Sequence, residues 1–123
     1  MKNTIIWFEI NVADLDRAKE FYDHVLQTNI RKEEMEGYPP MGIIPDEGVN
    51  GALVEDEEYE APEHSGVMLY FDGSSGINPY LEPVEEAGGE VVVPRSFVNE
   101  SVGHWAAFSD LDVNLLAFYE SPQ

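Results

Sequence analysis

The sequence predicts an α+β fold of two tandem βαβββ modules, and three observations carry that prediction. Strand-like runs and two helix-like runs follow one another in the order βαβββ and then repeat it. The two halves can be laid over each other from Ile5 onto Val67 and from Ile30 onto Val91 with almost no gap. Between them lies "EDEEYEAPEHSG", residues 55–66, acidic and without periodicity, which reads as a linker. A chain of 123 residues is then one domain, with module 1 over about residues 1–56 and module 2 over about 66–123.

Each element has a local reason. "IIWFEINV", residues 5–12, is β-branched and aromatic, and its alternation sets Ile6, Phe8, Ile10 and Val12 on one face and Trp7, Glu9 and Asn11 on the other. Asp14 is a fitting N-cap for a helix in which Ala18, Phe21, Tyr22, Val25 and Leu26 recur at helical spacing. Three short strands follow in "NIRKEEME", "MGIIP" and "NGALVE". In the second half "GVMLYFDG" reads as a strand. Asn78 then reads as an N-cap with Pro79 at the first helical position, and Gly88-Gly89 as the helix stop. Pro83 sits inside that helix, near enough to its start to remove one hydrogen bond. "EVVVP", "HWAAFSD" and "NLLAFYE" complete the repeat.

Composition excludes several functions. Six basic residues against 25 acidic ones give a formal charge of −19, which repels nucleic acid and anionic membranes and favours cationic ligands or a salt-adapted surface. The absence of cysteine removes disulfides, thiolate nucleophiles and Cys-ligated zinc. No apolar run approaches the roughly 20 residues of a membrane span, and the first residues lack a signal peptide's apolar core, so a soluble, cytoplasmic protein is expected.

Four stretches, "WFEINVADLDRAKEFYDHVL", "GALVE", "VEEAGGEVVVPRS" and "GHWAAFSDLDVNLLAFYE", together resemble the vicinal oxygen chelate superfamily, the glyoxalase, bleomycin-resistance and ring-cleaving dioxygenase group. The resemblance implies sheets curled round a central cavity, completed by a second subunit in a homodimer. In metal-using members four inward strand positions hold a divalent ion that polarises substrate oxygens. Those positions fall here on Trp7, on Gly51 or Ala52, on Gly66 and on Ala117, none of which ligates through its side chain. No metal or other cofactor is expected. The family's Asp-Pro-Asp-Gly-Asn turn reads "DLDVN" at residues 110–114, where Asn114 is expected to supply the left-handed residue.

What remains is a cavity face. By alternation Trp7, Asn11, Met68, Tyr70, Leu115 and Tyr119 should line it, and one of His104 and Trp105 should join them, with His104 weighed as a ligand contact at the cavity mouth. Glu9 is the candidate catalytic group: buried, it would be raised toward a neutral-range general base, whereas in a wet cavity it is a solvated side chain. His24 and His64 read as surface residues, and "DGSSG", residues 72–76, as a flexible turn. The expected function is binding of a small molecule, cationic or aromatic. The alternatives are a lyase or isomerase acting on a small carbonyl compound, and third a metal-dependent glyoxalase or dioxygenase.

Overall fold

The computed structural model describes residues 7–34, 36–57 and 68–122. The chain divides between residues 60 and 61 into two compact units, each with its own sheet and helix. Ile5 and Ile6, most of the linker with His64, and Gly66 and Val67 lie outside the described residues.

The first unit contains β1 (Trp7–Val12), α1 (Leu15–Leu26), β2 (Arg31–Glu33), β3 (Met41–Ile44) and β4 (Asn50–Glu55). Its sheet runs β1-β4-β3-β2, with β1 parallel to β4 and the other pairs antiparallel. The expected helical face is the buried one: Leu15, Ala18, Phe21, Tyr22 and Val25 pack into the core with Ile10, Val12 and Leu53. Asp14 caps α1 as expected, accepting the N–H of Arg17 at 3.1 Å. Gly51 stands opposite Phe8 in the β1–β4 register, and a Cβ there would collide with the Phe8 ring.

The second unit repeats the plan with β5 (Tyr70–Asp72), α2 (Asn78–Glu86), β6 (Glu90–Asn99), β7 (Gly103–Ser109) and β8 (Leu115–Glu120). Its sheet runs β5-β8-β7-β6, again with one parallel pair, β5 with β8. Each sheet is open and four-stranded, so the α+β class and the two βαβββ modules stand. Phe108, Phe118 and Phe71 form the aromatic core of this sheet, and Tyr80 of α2 stacks on Phe118 at 5.1 Å between centroids.

Four local expectations change. The N-cap of α2 is Ile77, not Asn78, and it has no side-chain cap of its own. Its N–H is satisfied from elsewhere: Glu120 accepts it at 2.9 Å. The strand predicted as "EVVVP" continues through Pro94 to Asn99: β6 is the edge strand of its sheet and Pro94 falls in a register shift between Val93 and Ser96, two settings in which a strand tolerates proline. Register shifts break the β6–β7 pairing in three places along that length. β5 is shorter than expected, and Met68 and Leu69 precede it outside the strand. The stop at Gly88-Gly89 is as expected: Gly88 takes φ +99°, its N–H bonds the carbonyl of Glu85, and the N–H of Gly89 reaches Val84 at 2.8 Å.

The acidic turn before β8 also differs. Val113, not Asn114, adopts the left-handed conformation, with φ +65°. Asp110 explains it, since its Oδ1 accepts the N–H groups of Asp112 and Asn114 and its Oδ2 the side-chain amide of Asn114, each at 2.9 Å. That clasp fixes Asn114 and leaves the reversal to the residue before it. Among the described residues no helix is long and apolar enough to cross a membrane.

Candidate functional site

Strand alternation gives each sheet one face packed on its helix and one face opposite. In the first unit the opposite face of β1 carries Trp7, Glu9 and Asn11, all exposed. The indole N–H of Trp7 donates to Glu9 Oε2 at 3.1 Å, so the carboxylate is held beside the ring and is not buried. The condition for a strongly desolvated Glu9 is therefore not met in this unit, and of the two environments weighed for it the solvated one applies.

In the second unit the opposite face has more relief. Tyr119 sits in the middle strand, with Trp105 of β7 directly across one side and Asp72 of β5 across the other; Tyr70 lies one step along, level with Ala117. Adjacent strands are about 4.8 Å apart. Asp72 and Trp105 therefore flank Tyr119 at a separation suited to one small group between them. The β6–β7 hairpin adds Val98 and Val102. Together Tyr70, Phe71, Asp72, Val98, Val102, Trp105 and Tyr119 line a pocket of about 630 Å³, within the range typical of small-molecule sites.

Hydrogen bonds fix two of these walls. The Tyr119 hydroxyl donates to the carbonyl of Val102, tying the ring to the hairpin. Asp72 Oδ1 accepts the Ser74 N–H at 2.9 Å. Hydrogen bonds from the Ser74 side chain and backbone hold the Asp72 carboxyl below its ordinary pKa, so it is ionised at neutral pH.

Of the residues expected at the cavity, Tyr70, Trp105 and Tyr119 meet at this pocket. Leu115 shares their face at the start of β8, and Met68 precedes β5; both are half-buried and neither lines the pocket. Trp105 is the member of its pair that turns to the pocket. His104 lies on the opposite face, its ring edge against Phe97 at 5.3 Å and its Nδ1 3.8 Å from Glu120 Oε2. Trp7, Glu9 and Asn11 stand together on the other module. Sequence reading missed Asp72, although it stands two residues after Tyr70 and period two puts it on the same face. It missed Val98 and Val102 because the strand carrying Val98 was ended at Pro94.

The positions where the resemblance would place metal ligands offer no side-chain donor among the described residues. Trp7 presents an indole, Gly51 has no side chain, and Ala52 and Ala117 are buried methyl groups; Gly66 lies outside the described residues. Among the described residues no three His, Cys, Asp or Glu side chains come together as a ligand set. The described side chains at these positions do not fit such an ion.

Residues 4–118 match the family model described as Glyoxalase/Bleomycin resistance protein/Dioxygenase superfamily. Among solved structures, the chain is similar to hypothetical protein SA1046 from S. aureus, with 24% identity, TM-score 0.69, and 95% of this chain and 96% of that one covered. It is also similar to a glyoxalase/bleomycin resistance protein from Albidiferax ferrireducens T118, with 16% identity, TM-score 0.77, and 98% and 100% covered. A third is the genomically encoded fosfomycin resistance protein FosX from Listeria monocytogenes, with 18% identity, TM-score 0.71, and 98% and 95% covered. At these identities the likeness shows the fold. No curated protein matches the chain.

Proposed function

The chain belongs to the glyoxalase/bleomycin resistance protein/dioxygenase superfamily, and from that premise we propose that it is a small-molecule binding protein whose site is the aromatic pocket of the second module. The observation that carries this reading is the meeting of Tyr70, Trp105 and Tyr119 around about 630 Å³ of space. Large apolar walls with few polar groups hold a flat molecule by burial and ring contact, without chemistry. Among the described residues no donor set for a metal comes together, which supports binding over Lewis-acid catalysis, and two of the similar structures are of resistance proteins. In this reading the protein acts in the cytoplasm, without metal, and as a homodimer. Light scattering of the eluted protein decides the last point.

Nile red, a neutral flat dye, tests the pocket. Saturable enhancement of its fluorescence is expected, weakened at least tenfold by Trp105→Ala and by Tyr70→Ala but not by Trp7→Ala. Binding that is indifferent to Trp105 and Tyr70 overturns the assignment.

A second reading is a lyase or isomerase acting on a small carbonyl compound with Glu9 as the base. It has one observation in its favour, the Trp7 indole that orients the Glu9 carboxylate on an exposed face. Such a base would take an α-proton from the substrate and return it, so exchange of deuterium into dihydroxyacetone in heavy water, followed by NMR, is its signature. Exchange that disappears in Glu9→Gln with the fold intact would establish it. No exchange above the protein-free rate would remove it.

A further inference from the structure

We infer that the pocket of the second module is a site for an alkylammonium group, a quaternary or tertiary amine, with Asp72 as its counter-ion and the rings of Tyr70, Trp105 and Tyr119 as its walls. The inference rests on the binding reading above and names its ligand class.

Three features point to a cation. First, the aromatic faces gather at one place: Tyr119 is directly opposite Trp105 on β7, with Tyr70 one step away on β5. Ring faces are negative at their centres and attract alkylammonium groups, most strongly where water is partly excluded. Second, Asp72 is the carboxylate of the lining, level with Tyr119 on the side away from Trp105. A neutral ligand would leave that charge to be desolvated without compensation. A cation seated between Asp72 and Trp105 meets a carboxylate on one side and a ring on the other. Third, among the described residues of the second module no lysine or arginine is left over to neutralise Asp72. Arg95 is the single lysine or arginine after Lys32. It is committed to Glu120 through two hydrogen bonds, Nε to Oε1 at 3.1 Å and NH2 to Oε2 at 2.6 Å.

The remaining geometry favours a soft, methylated cation over a primary amine. Besides the Asp72 carboxylate the side-chain acceptors of the lining are the Tyr70 and Tyr119 hydroxyls, too few to replace the water shell of a strongly hydrated primary ammonium. Val98, Val102 and Phe71 add apolar surface suited to methyl groups.

The test uses a pair of isosteres, (3-hydroxyphenyl)trimethylammonium and 3-tert-butylphenol, which differ in a charged nitrogen against a neutral carbon. Binding is followed by NMR at the Trp105 indole N–H, identified by the loss of the Trp7 signal in Trp7→Phe. The cation is expected to shift the Trp105 signal with a Kd at least tenfold below that of the neutral phenol. Asp72→Asn keeps an acceptor for Ser74 and is expected to abolish the difference, weakening the cation while the phenol binds at least as well as before. Glu82→Gln, on α2, removes the same unit of charge elsewhere and is expected to leave the preference intact.

Equal or tighter binding of the phenol overturns the inference and leaves the pocket assigned. An equal loss in Asp72→Asn and Glu82→Gln also overturns it, since net charge would then be the cause. A Trp105 signal unmoved by either compound at ten millimolar overturns both the inference and the pocket.

Discussion

The carboxylate of Glu120, at the end of β8, accepts the backbone N–H of Ile77 at 2.9 Å, 43 residues earlier at the start of α2. The first module makes the same contact. Glu55, at the end of β4, accepts the N–H of Leu15 at 3.0 Å. A helix start leaves N–H groups without intrahelical partners and carries a partial positive charge, so a carboxylate from the last strand of the module satisfies both. The device differs in one respect: Glu120 also accepts from two nitrogens of Arg95, whereas among the described residues no arginine pairs with Glu55.

Glu120→Gln should therefore destabilise the protein more than Glu55→Gln. Glu120 is 7% exposed, and the substitution leaves Arg95 without its ion pair and weakens the bond to Ile77. A loss of about 2 kcal/mol is expected at neutral pH, against about 1 kcal/mol for Glu55→Gln, from the usual range for hydrogen bonds to charged groups. Urea unfolding with unchanged m values measures both. Equal losses would mean that the Arg95 pair adds nothing.

Acid should expose the same group. Arg95, then the Ile77 N–H, holds the Glu120 carboxyl at a pKa of about 2, against an ordinary 4.5. A depressed carboxyl contributes stability that is fully present above its unfolded pKa and is lost as pH falls through the folded one. Stability should thus decline between pH 4.5 and 2, and the Glu120→Gln variant should decline less steeply over that window. Comparing the two proteins isolates Glu120 from other carboxyls that titrate there. Parallel curves would contradict the assignment.

Val113→Gly should stabilise the protein by about 1 kcal/mol. A β-branched residue at φ +65° is strained, and glycine relieves that strain at the expense of a more flexible unfolded chain. Val113 is 57% exposed, so little packing is lost. Val113→Asn should lie between the two. A midpoint no higher than that of the parent would show that the turn carries no strain.

These contacts show where sequence reading succeeds and where it stops. Both helices, the βαβββ succession of each half and the Gly88 stop were legible because each depends on local periodicity or one residue's conformational freedom. The edge status of β6 was not, since the tolerance of Pro94 depends on a neighbour that is absent on one side. The true N-cap of α2 was hidden because its acceptor lies 43 residues away. Val113 escaped notice because asparagine is the better left-handed residue in isolation, and only the Asp110 clasp reverses the choice. Of the site, alternation found three rings; Asp72 was on the same face but had been read as the start of a turn.

Gly51→Ala tests the packing of the Phe8 ring on the glycine opposite it. Phe8 stands beside Gly51 in the parallel register, and its ring occupies the space above the glycine, so an alanine methyl must displace the ring or the strand. Overpacking of this kind costs about 1–3 kcal/mol, while alanine recovers about 0.5–1 kcal/mol of the entropy that glycine loses in a strand. A net destabilisation of about 1 kcal/mol, and at most about 2.5 kcal/mol, follows from those two ranges. Phe8→Leu alone should also destabilise, by emptying the space that the ring fills. In the double variant the two losses should fall short of their sum by about 1 kcal/mol, because a smaller side chain at position 8 accepts the new methyl. Strict additivity, measured by urea unfolding of all four proteins, would show that ring and glycine do not depend on each other.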